Sequence, residues 1–194
     1  MPSEAQRHRL YQNALELFYS KGFKATTMRD IAGTMNFEAA SLYNYFSSKD
    51  ALLEELLFSV ADQFLMGIQQ IVDNDISHLD KIKEVIGLYV DITSENPFKA
   101  ALLTTAWRNL KPEVLERFVD HRSTYEGYLR DILTAYYEEQ QINHIDVEVA
   151  LHTLLGSVRW ICDWYIQYKG TIDPNQLKKQ LINLIVNGMN PSNL

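Results

Sequence analysis

The sequence of 194 residues has a single cysteine, Cys162. One cysteine cannot form an intramolecular disulfide, which excludes a disulfide framework, and a zinc finger built on several cysteines is excluded too. No apolar run approaches the roughly 18 residues of a membrane span. A polar, charged segment follows Met1, unlike the apolar core of a signal peptide. These absences predict a cytoplasmic protein without membrane contact.

Positive charge is also scarce, since 18 lysines and arginines stand against 25 aspartates and glutamates, for a net charge of -7. Taken alone, this acidity argues against a nucleic-acid-binding protein. The charge is unevenly distributed, however: residues 1–50 hold six basic and five acidic residues, whereas the remaining 144 hold 12 and 20. The acidity therefore belongs to the C-terminal three quarters of the chain.

Sequence motifs of enzyme active sites are absent. There is no G-x-S-x-G, H-E-x-x-H, P-loop or G-x-G-x-x-G pattern. The histidines are dispersed, and only Glu148 and His152 have a spacing that places two metal ligands on one helical face. Such a pair is typical of a helix-surface contact, and no further ligands stand at matched spacing. The sequence therefore predicts no enzyme activity, no cofactor and no metal site.

Helical periodicity runs through nearly the whole chain, and no segment has the pattern of a strand. Prolines, glycines and polar stretches mark the breaks between the periodic segments. We therefore predict an all-α protein. Besides a short helix that begins near residue 27, helices are expected at about residues 4–21, 38–45, 48–72, 78–94, 97–109, 112–140, 146–168 and 174–188.

Two short predicted helices interrupt this pattern in the segment TTMRDIAGTMNFEAASLYNYFSSKDALLEELL, residues 27–57. Thr27 and Asp30 resemble a capping box at the start of the first short helix. Asn36 tolerates the left-handed conformation needed in a tight turn, and the second short helix follows at 38–45. Two short helices held between longer ones form a helix-turn-helix, whose second helix enters the DNA major groove.

Candidate DNA contacts follow from side-chain size and chemistry in and beside this motif. Small side chains allow close approach to base edges, whereas hydroxyls and cations hold phosphates. Tyr43 and Lys49 are expected at phosphates. Ala40 and Ser41 are expected at base edges. The full set of candidates is Thr27, Arg29, Ala39, Ala40, Ser41, Tyr43, Tyr45 and Lys49.

At these residues the sequence resembles the TetR family of bacterial transcriptional regulators. The resemblance is carried by ALELFYSKGFKATTMRDIA and SLYNYFSSKDALLEELL and covers about residues 7–57. Two positions depart from the family pattern: Asn36 replaces the usual turn glycine, and Glu38 after Phe37 replaces a small polar residue. The positions in register are Gly22, Thr27, Ile31, Ala32, Leu42, Tyr43, Phe46 and Lys49.

The resemblance implies a helix-turn-helix DNA-binding domain at about 4–64, with the motif at 27–46, and a helical ligand-binding and dimerisation domain at 65–194. The final two predicted helices, at 146–168 and 174–188, carry apolar residues on more than one face. One face can pack on the subunit, and the other needs a partner. We therefore expect a homodimer through these two helices.

Large aromatic residues in the C-terminal part predict a concave apolar pocket. The stretch LGSVRWICDWYIQYKGTIDPNQLKKQLINLIVNG resembles a branch of the family that answers fatty-acid or related acyl-CoA thioesters. A coenzyme A ligand also needs cations for its phosphates. The candidate ligand-binding residues are Trp107, Arg108, Tyr125, Tyr128, Arg159, Trp160 and Trp164.

Together, these features predict a dimeric repressor that binds a pseudo-palindromic operator. A small apolar ligand, with an acyl-CoA as first choice, would release it from the DNA. The long helix at about 48–72 would couple the two domains. Two alternatives remain open. A regulator of efflux would answer a different hydrophobic compound. An all-α adaptor would bind proteins instead of DNA, although it would leave Thr27, Tyr43 and Lys49 unexplained.

Overall fold

The computed structural model describes residues 4–168 and 172–189, which form helices joined by short turns. No strand occurs in these residues, and the all-α prediction is confirmed. None of the helices within them is long and apolar enough to cross a membrane. The helices are α1 Glu4–Ser20, α2 Met28–Thr34, α3 Lys49–Asp73, α4 His78–Glu95, α5 Pro97–Thr105, α6 Pro112–Glu139, α7 Val147–Arg159, α8 Ile161–Tyr168 and α9 Pro174–Met189, with 3-10 helices at Ala39–Asn44 and Trp107–Asn109.

Two predicted helices are divided in the structure. The helix expected at 146–168 breaks at Trp160, between α7 and α8. The indole Nε1 of Trp160 donates to the Ser157 carbonyl at 2.7 Å, the oxygen that the Ile161 amide would use in a continuous helix. The helix expected at 97–109 likewise becomes α5 and a 3-10 turn. Local side-chain hydrogen bonds of this kind compete with helical ones, and periodicity does not reveal them.

The described residues pack into two compact units. One contains residues 4–61 and 98–119, and the other contains 62–97, 120–168 and 172–189. The sequence predicted a contiguous division after residue 64, which places the segment 98–119 with the C-terminal part. That segment joins the first unit because it supplies four side chains to its apolar core, namely Leu102, Ala106, Leu110 and Phe118.

The core of the first unit anchors both helices of the helix-turn-helix. Ile31 on α2 and Leu42 on the 3-10 helix are fully buried, and burying one such side chain stabilises the fold by about 1.5–3 kcal/mol. Phe46 is only 6% exposed, as its spacing from Leu42 predicts. α1 and α3 contribute a further eight residues to this core, namely Leu10, Ala14, Leu15, Phe18, Leu52, Leu53, Leu56 and Leu57.

The turn between the two short helices is left-handed at Asn36, where φ is 56°, and this predicted conformation is confirmed. The amide of Phe37 donates to the Ala32 carbonyl at 3.0 Å, and the amide of Asn36 donates to the Gly33 carbonyl at 3.2 Å. These two hydrogen bonds form a Schellman motif, which satisfies carbonyls at the end of α2. The turn therefore fixes the direction in which the 3-10 helix leaves α2.

In the second unit, α4 packs against α7, α8 and α9. Lys178 on α9 also forms an ion pair with Asp91 on α4. Apolar side chains remain at the surface of the same C-terminal helices: Leu184 is 71% exposed and Val149 is 61% exposed. The second unit therefore has a buried core together with exposed apolar residues on α7 and α9.

Candidate functional site

The predicted DNA contacts all belong to the first unit, on α2, the 3-10 helix Ala39–Asn44, the residues beside them and the start of α3. Thr27, Arg29, Ala40 and Tyr43 are exposed. Tyr43 is 59% exposed although its ring is large and partly apolar, and Arg29 has no ion pair among the described residues. Exposed cations and hydroxyls beside a small residue have the chemistry of a DNA-contacting surface.

Three other candidates are partly buried. The ring of Tyr45 stacks on Phe37, with centroids 6.3 Å apart and an angle of 22° between the ring planes. Ala39 and Tyr45 both pack against the core of the first unit, and Ser41 is half-buried. Tyr45 and Ala39 therefore hold the 3-10 helix in place, and their predicted role at DNA stays a prediction.

The N-terminus of α2 is closed by a capping box. The Asp30 amide donates to Thr27 Oγ1 at 3.1 Å, and the Thr27 amide donates to Asp30 Oδ2 at 2.7 Å. The same carboxylate accepts from Lys21 Nζ at 2.7 Å and from the Thr27 hydroxyl at 2.8 Å. The Lys21 ammonium, followed by Thr27, holds the pKa of Asp30 well below its usual range. A phosphate contact by the Thr27 hydroxyl would compete with Asp30.

The Lys49 side chain is half-buried and has partners within the first unit. Its Nζ donates to the carbonyls of Phe23 and Thr26, both at 2.7 Å. It also lies 4.3 Å from the centroid of the Phe23 ring. The phosphate contact expected of Lys49 stays a prediction, but its ammonium is already engaged by the loop between α1 and α2.

The structure adds two candidates that the sequence analysis did not name. Asn44 is exposed at the end of the 3-10 helix, next to Tyr43, and an asparagine amide can bond the edge of adenine. Lys24 is exposed in the loop before α2, where a cation can hold a phosphate. Their position beside the predicted contacts was the available signal, but their exposure was not known from the sequence.

The predicted ligand-binding residues are divided between the two units. Trp107 and Arg108 belong to the first unit, whereas the other five belong to the second. The Trp107 ring stacks on Phe118 with centroids 6.3 Å apart, and the Arg108 guanidinium lies 4.4 Å from the Trp107 centroid. The roles of these residues in ligand binding stay predictions.

Tyr125 belongs to an aromatic cluster of the second unit, together with Phe64 and Tyr89. The ring centroids of Phe64 and Tyr89 are 4.6 Å apart, and that of Tyr125 lies 6.0 Å from Phe64 and 6.3 Å from Tyr89. Burial raises the pKa of Tyr89 to about 12 and that of Tyr125 well above its usual value, while the charge of Arg159 opposes both shifts. The Tyr125 hydroxyl is buried beside Tyr89, whose hydroxyl also acts on its pKa.

The two tryptophans of the set form a second aromatic group. Trp160 and Trp164 meet edge to face with centroids 6.0 Å apart, and Trp164 also contacts Tyr168 at 5.9 Å. Trp160 is 43% exposed, and Tyr128 is half-buried. Trp160 therefore offers an apolar ring at the surface, where either a ligand or a second subunit can cover it.

Other chemistry is limited in the described part of the chain. No group of three or more histidine, cysteine or acidic residues there could hold a metal ion. Glu148 is paired with Arg130 and lies 4.0 Å from His152.

Burial raises the pKa of the Cys162 thiol to about 11, which keeps it protonated and unreactive at neutral pH. A concavity of about 300 Å³ is lined partly by Tyr137, Ile142 and Val147, and none of the predicted ligand-binding residues lines it.

Both parts of the chain match known protein families. Residues 10–56 match the model of "Bacterial regulatory proteins, tetR family". Residues 75–189, which are more than half of the chain, match the model "Tetracyclin repressor-like, C-terminal domain". The first match covers the helix-turn-helix, and the second covers α4 and the elements that follow it.

Individual proteins match over nearly the full length. The transcriptional repressor KstR2 of Mycolicibacterium smegmatis is 24% identical, with 97% of this chain and 92% of that protein covered. The structure of AibR in complex with isovaleryl coenzyme A and operator DNA has a TM-score of 0.76 at 18% identity, covering 92% of this chain and 96% of that one. FadR from Bacillus subtilis in complex with stearoyl-CoA has a TM-score of 0.69 at 19% identity, covering 93% and 98%. At these identities, the two structures show a shared fold.

The capping box makes a testable prediction about Asp30. We expect the carboxyl carbon of Asp30 to keep its ionised chemical shift when the pH is lowered through about 3.9, where an unperturbed aspartate gains its proton. A lowered pKa means that the carboxylate stabilises α2 at neutral pH and that this contribution is lost only as the pH falls through the depressed value. Carbon-detected NMR measures the titration.

Lys21→Met serves as the control for this titration, because it removes the largest cause of the shift. The pKa of Asp30 should then move back toward the usual aspartate value. An Asp30 that titrates normally in the wild-type protein would contradict the capping geometry, and an unchanged titration in Lys21→Met would contradict the role of Lys21.

Proposed function

This chain belongs to the TetR family of bacterial regulatory proteins. We propose that it is a dimeric transcriptional repressor that binds a pseudo-palindromic operator and leaves it when a small apolar ligand binds to the protein. The family makes the protein a transcriptional regulator and not an enzyme. The operator, the dimer and the ligand are the parts that we propose.

The observation that carries this function is the exposed surface of the helix-turn-helix. Ile31 and Leu42 bury one side of the two short helices, while Arg29, Ala40 and Tyr43 are exposed. Ala40 lies near the start of the 3-10 helix, and residues near the start of a recognition helix contact base edges. Arg29 and Tyr43 then hold the phosphates on either side.

Dimerisation is supported by the exposed apolar residues of α7 and α9. Leu177 and Leu181 on α9 are buried within the subunit, but Leu184 on the same helix is 71% exposed. Leu184 and Val149 lie on the helices that the sequence assigns to the dimer interface, and exposed apolar residues on such helices are candidates for an interaction surface. A second copy of the chain would bring its own α7, α8 and α9 against these residues in a two-fold interface.

An acyl-CoA is the ligand class that the related structures favour, since AibR and FadR were solved with isovaleryl coenzyme A and stearoyl-CoA. In this chain, the cluster of Phe64, Tyr89 and Tyr125 offers apolar surface together with the buried hydroxyl of Tyr125. We propose that the Tyr125 hydroxyl donates to the thioester carbonyl and that Arg159, whose charge acts on Tyr125, binds a phosphate.

Release from DNA requires the ligand to prefer the arrangement of the dimer that does not fit the operator. α3 contributes residues to both compact units, so a change at its C-terminal half can be transmitted to the half that contacts the helix-turn-helix. A regulator of efflux with a different hydrophobic ligand is the second candidate, and the many aromatic rings of the second unit would suit it equally.

The dimer is tested by Leu184→Asp, which places a charge on the proposed interface. We expect sedimentation velocity to show a dimer for the wild-type protein at micromolar concentration and a monomer for Leu184→Asp. Met66→Asp is the matched control, because Met66 is also in the second unit and is 55% exposed on α3, and it should remain a dimer. A monomeric wild-type protein at this concentration would contradict the proposed interface.

The operator is tested by selecting bound sequences from a random DNA library and measuring affinity by fluorescence anisotropy. We expect a pseudo-palindrome with half-sites roughly 34 Å apart or a multiple of that distance. Tyr43→Phe should weaken binding to all sequences alike by about 10-fold, since each subunit loses a hydroxyl–phosphate hydrogen bond worth about 0.5–1.5 kcal/mol. Ala40→Asn should instead change the preferred sequence. The proposed docking would be rejected if Tyr43→Phe left the affinity unchanged and Ala40→Asn left the preferred sequence unchanged.

The ligand is tested by titrating acyl-CoAs of several chain lengths into the protein–operator complex. We expect release, and Tyr125→Phe should raise the acyl-CoA concentration for half-release by about 10-fold because one hydrogen bond is lost. Tyr137→Phe, at another buried tyrosine of α6, should change the acyl-CoA concentration for half-release little. Release only by cationic or aromatic compounds would favour the efflux regulator. Binding of an acyl-CoA without release would reject the proposed coupling.

A further inference from the structure

We propose that Lys49 is a positioning residue for DNA binding: its ammonium ties the loop between α1 and α2 to the start of α3, and it does not contact a phosphate. This inference rests on the proposed function, because it concerns how the helix-turn-helix is held for DNA. It departs from the sequence-based expectation, in which the positive charge of Lys49 faced the DNA backbone.

The loop that Lys49 contacts has a defined backbone. Gly22 has a φ of 86°, a conformation that glycine adopts without strain. Thr26 is 1% exposed, and its hydroxyl donates to the Gly22 carbonyl at 2.8 Å. Lys49 Nζ reaches the carbonyls of Phe23 and Thr26, both at 2.7 Å. The lysine therefore joins two points of one tight loop.

The chemistry of an ammonium group limits what else Lys49 can do. It has three N–H donors, and two of them make short, charge-assisted hydrogen bonds to carbonyls. The Phe23 ring lies 4.3 Å from the same nitrogen, which adds a cation–π attraction. Only one N–H donor of Lys49 remains for a phosphate, and the two carbonyls fix where the ammonium lies. Arg29 and Lys24, in contrast, are exposed and need not give up such contacts.

The position of the loop explains how Lys49 could affect DNA binding. Thr26 immediately precedes Thr27, the residue that caps α2. α2 carries Arg29 and leads through the Asn36 turn into the 3-10 helix. A DNA contact is lost when its side chain is misplaced, so the N-terminus of α2 must be fixed relative to α3. Lys49, on the first turn of α3, provides that connection.

Lys49→Met tests this role because methionine keeps most of the apolar stem and removes all three donors. We expect affinity for the selected operator to fall by about 10-fold, the scale of one charge-assisted hydrogen bond. The slope of log affinity against log salt concentration should stay unchanged. Loss of a phosphate contact would instead reduce that slope by about 0.9 per subunit, or about 1.8 per dimer.

Two control variants separate positioning from general effects. Lys83→Met removes one positive charge from the second unit, and Ile82→Val lowers stability from a fully buried site of the same unit. Neither should change operator affinity when the protein is folded. Lys49→Met should also lower specific binding more than non-specific binding, because misplaced side chains lose base contacts while the overall charge attraction remains.

Hydrogen exchange of the free protein supplies a measurement that does not involve DNA. In Lys49→Met, the amides of Thr26 and Thr27 should exchange faster, with little change outside the first unit. A reduced salt slope with unchanged exchange would overturn the proposal in favour of a phosphate contact. Unchanged affinity and exchange would also overturn it. Absence of DNA binding by the wild-type protein would reject the proposed function, whereas the exchange result would still show whether Lys49 holds the loop.

Discussion

The helix-turn-helix depends on tertiary packing because its helices are too short to be stable alone. α2 has 7 residues and the following 3-10 helix has 6, whereas isolated helices shorter than about 12–15 residues are marginal in water. Ile31 and Leu42 fix the two helices to the core of the first unit. Since only the buried side of each helix is used for folding, the opposite side remains available for DNA.

Packing alone does not set the direction of helices as short as α2 and the 3-10 helix. Polar contacts at the ends of α2 and in the loop before it help to fix that direction. Thr27 and Asp30 close the start of α2, the Schellman turn at Asn36 closes its end, and Lys49 joins the preceding loop to α3. These contacts give hydrogen-bond partners to backbone groups at the ends of α2 and in the loop before it. Thr27 and Lys49 also carry the family resemblance, so folding accounts for these residues as well as DNA contact does.

Most of the helical architecture could be predicted from the sequence, because helix periodicity and end signals are local. Asn36 was identified as the turn, and the spacing of Phe46 from Leu42 predicted its burial. The sequence did not predict the break at Trp160, which follows from an indole hydrogen bond to a nearby carbonyl. The exposure of the DNA-contact candidates could not be predicted from local spacing: Tyr43 is at the surface, while Tyr45 stacks on Phe37.

The sequence by itself determined the all-α class, the helix-turn-helix and the family, because these follow from residue spacing along the chain. Only the tertiary structure showed that the segment 98–119 packs into the N-terminal unit. It alone also showed that Lys49 donates to Phe23 and Thr26 and that Tyr125 lies with Phe64 and Tyr89. These contacts join residues distant in sequence, and which side chains meet across helices depends on how those helices pack, which local periodicity does not specify.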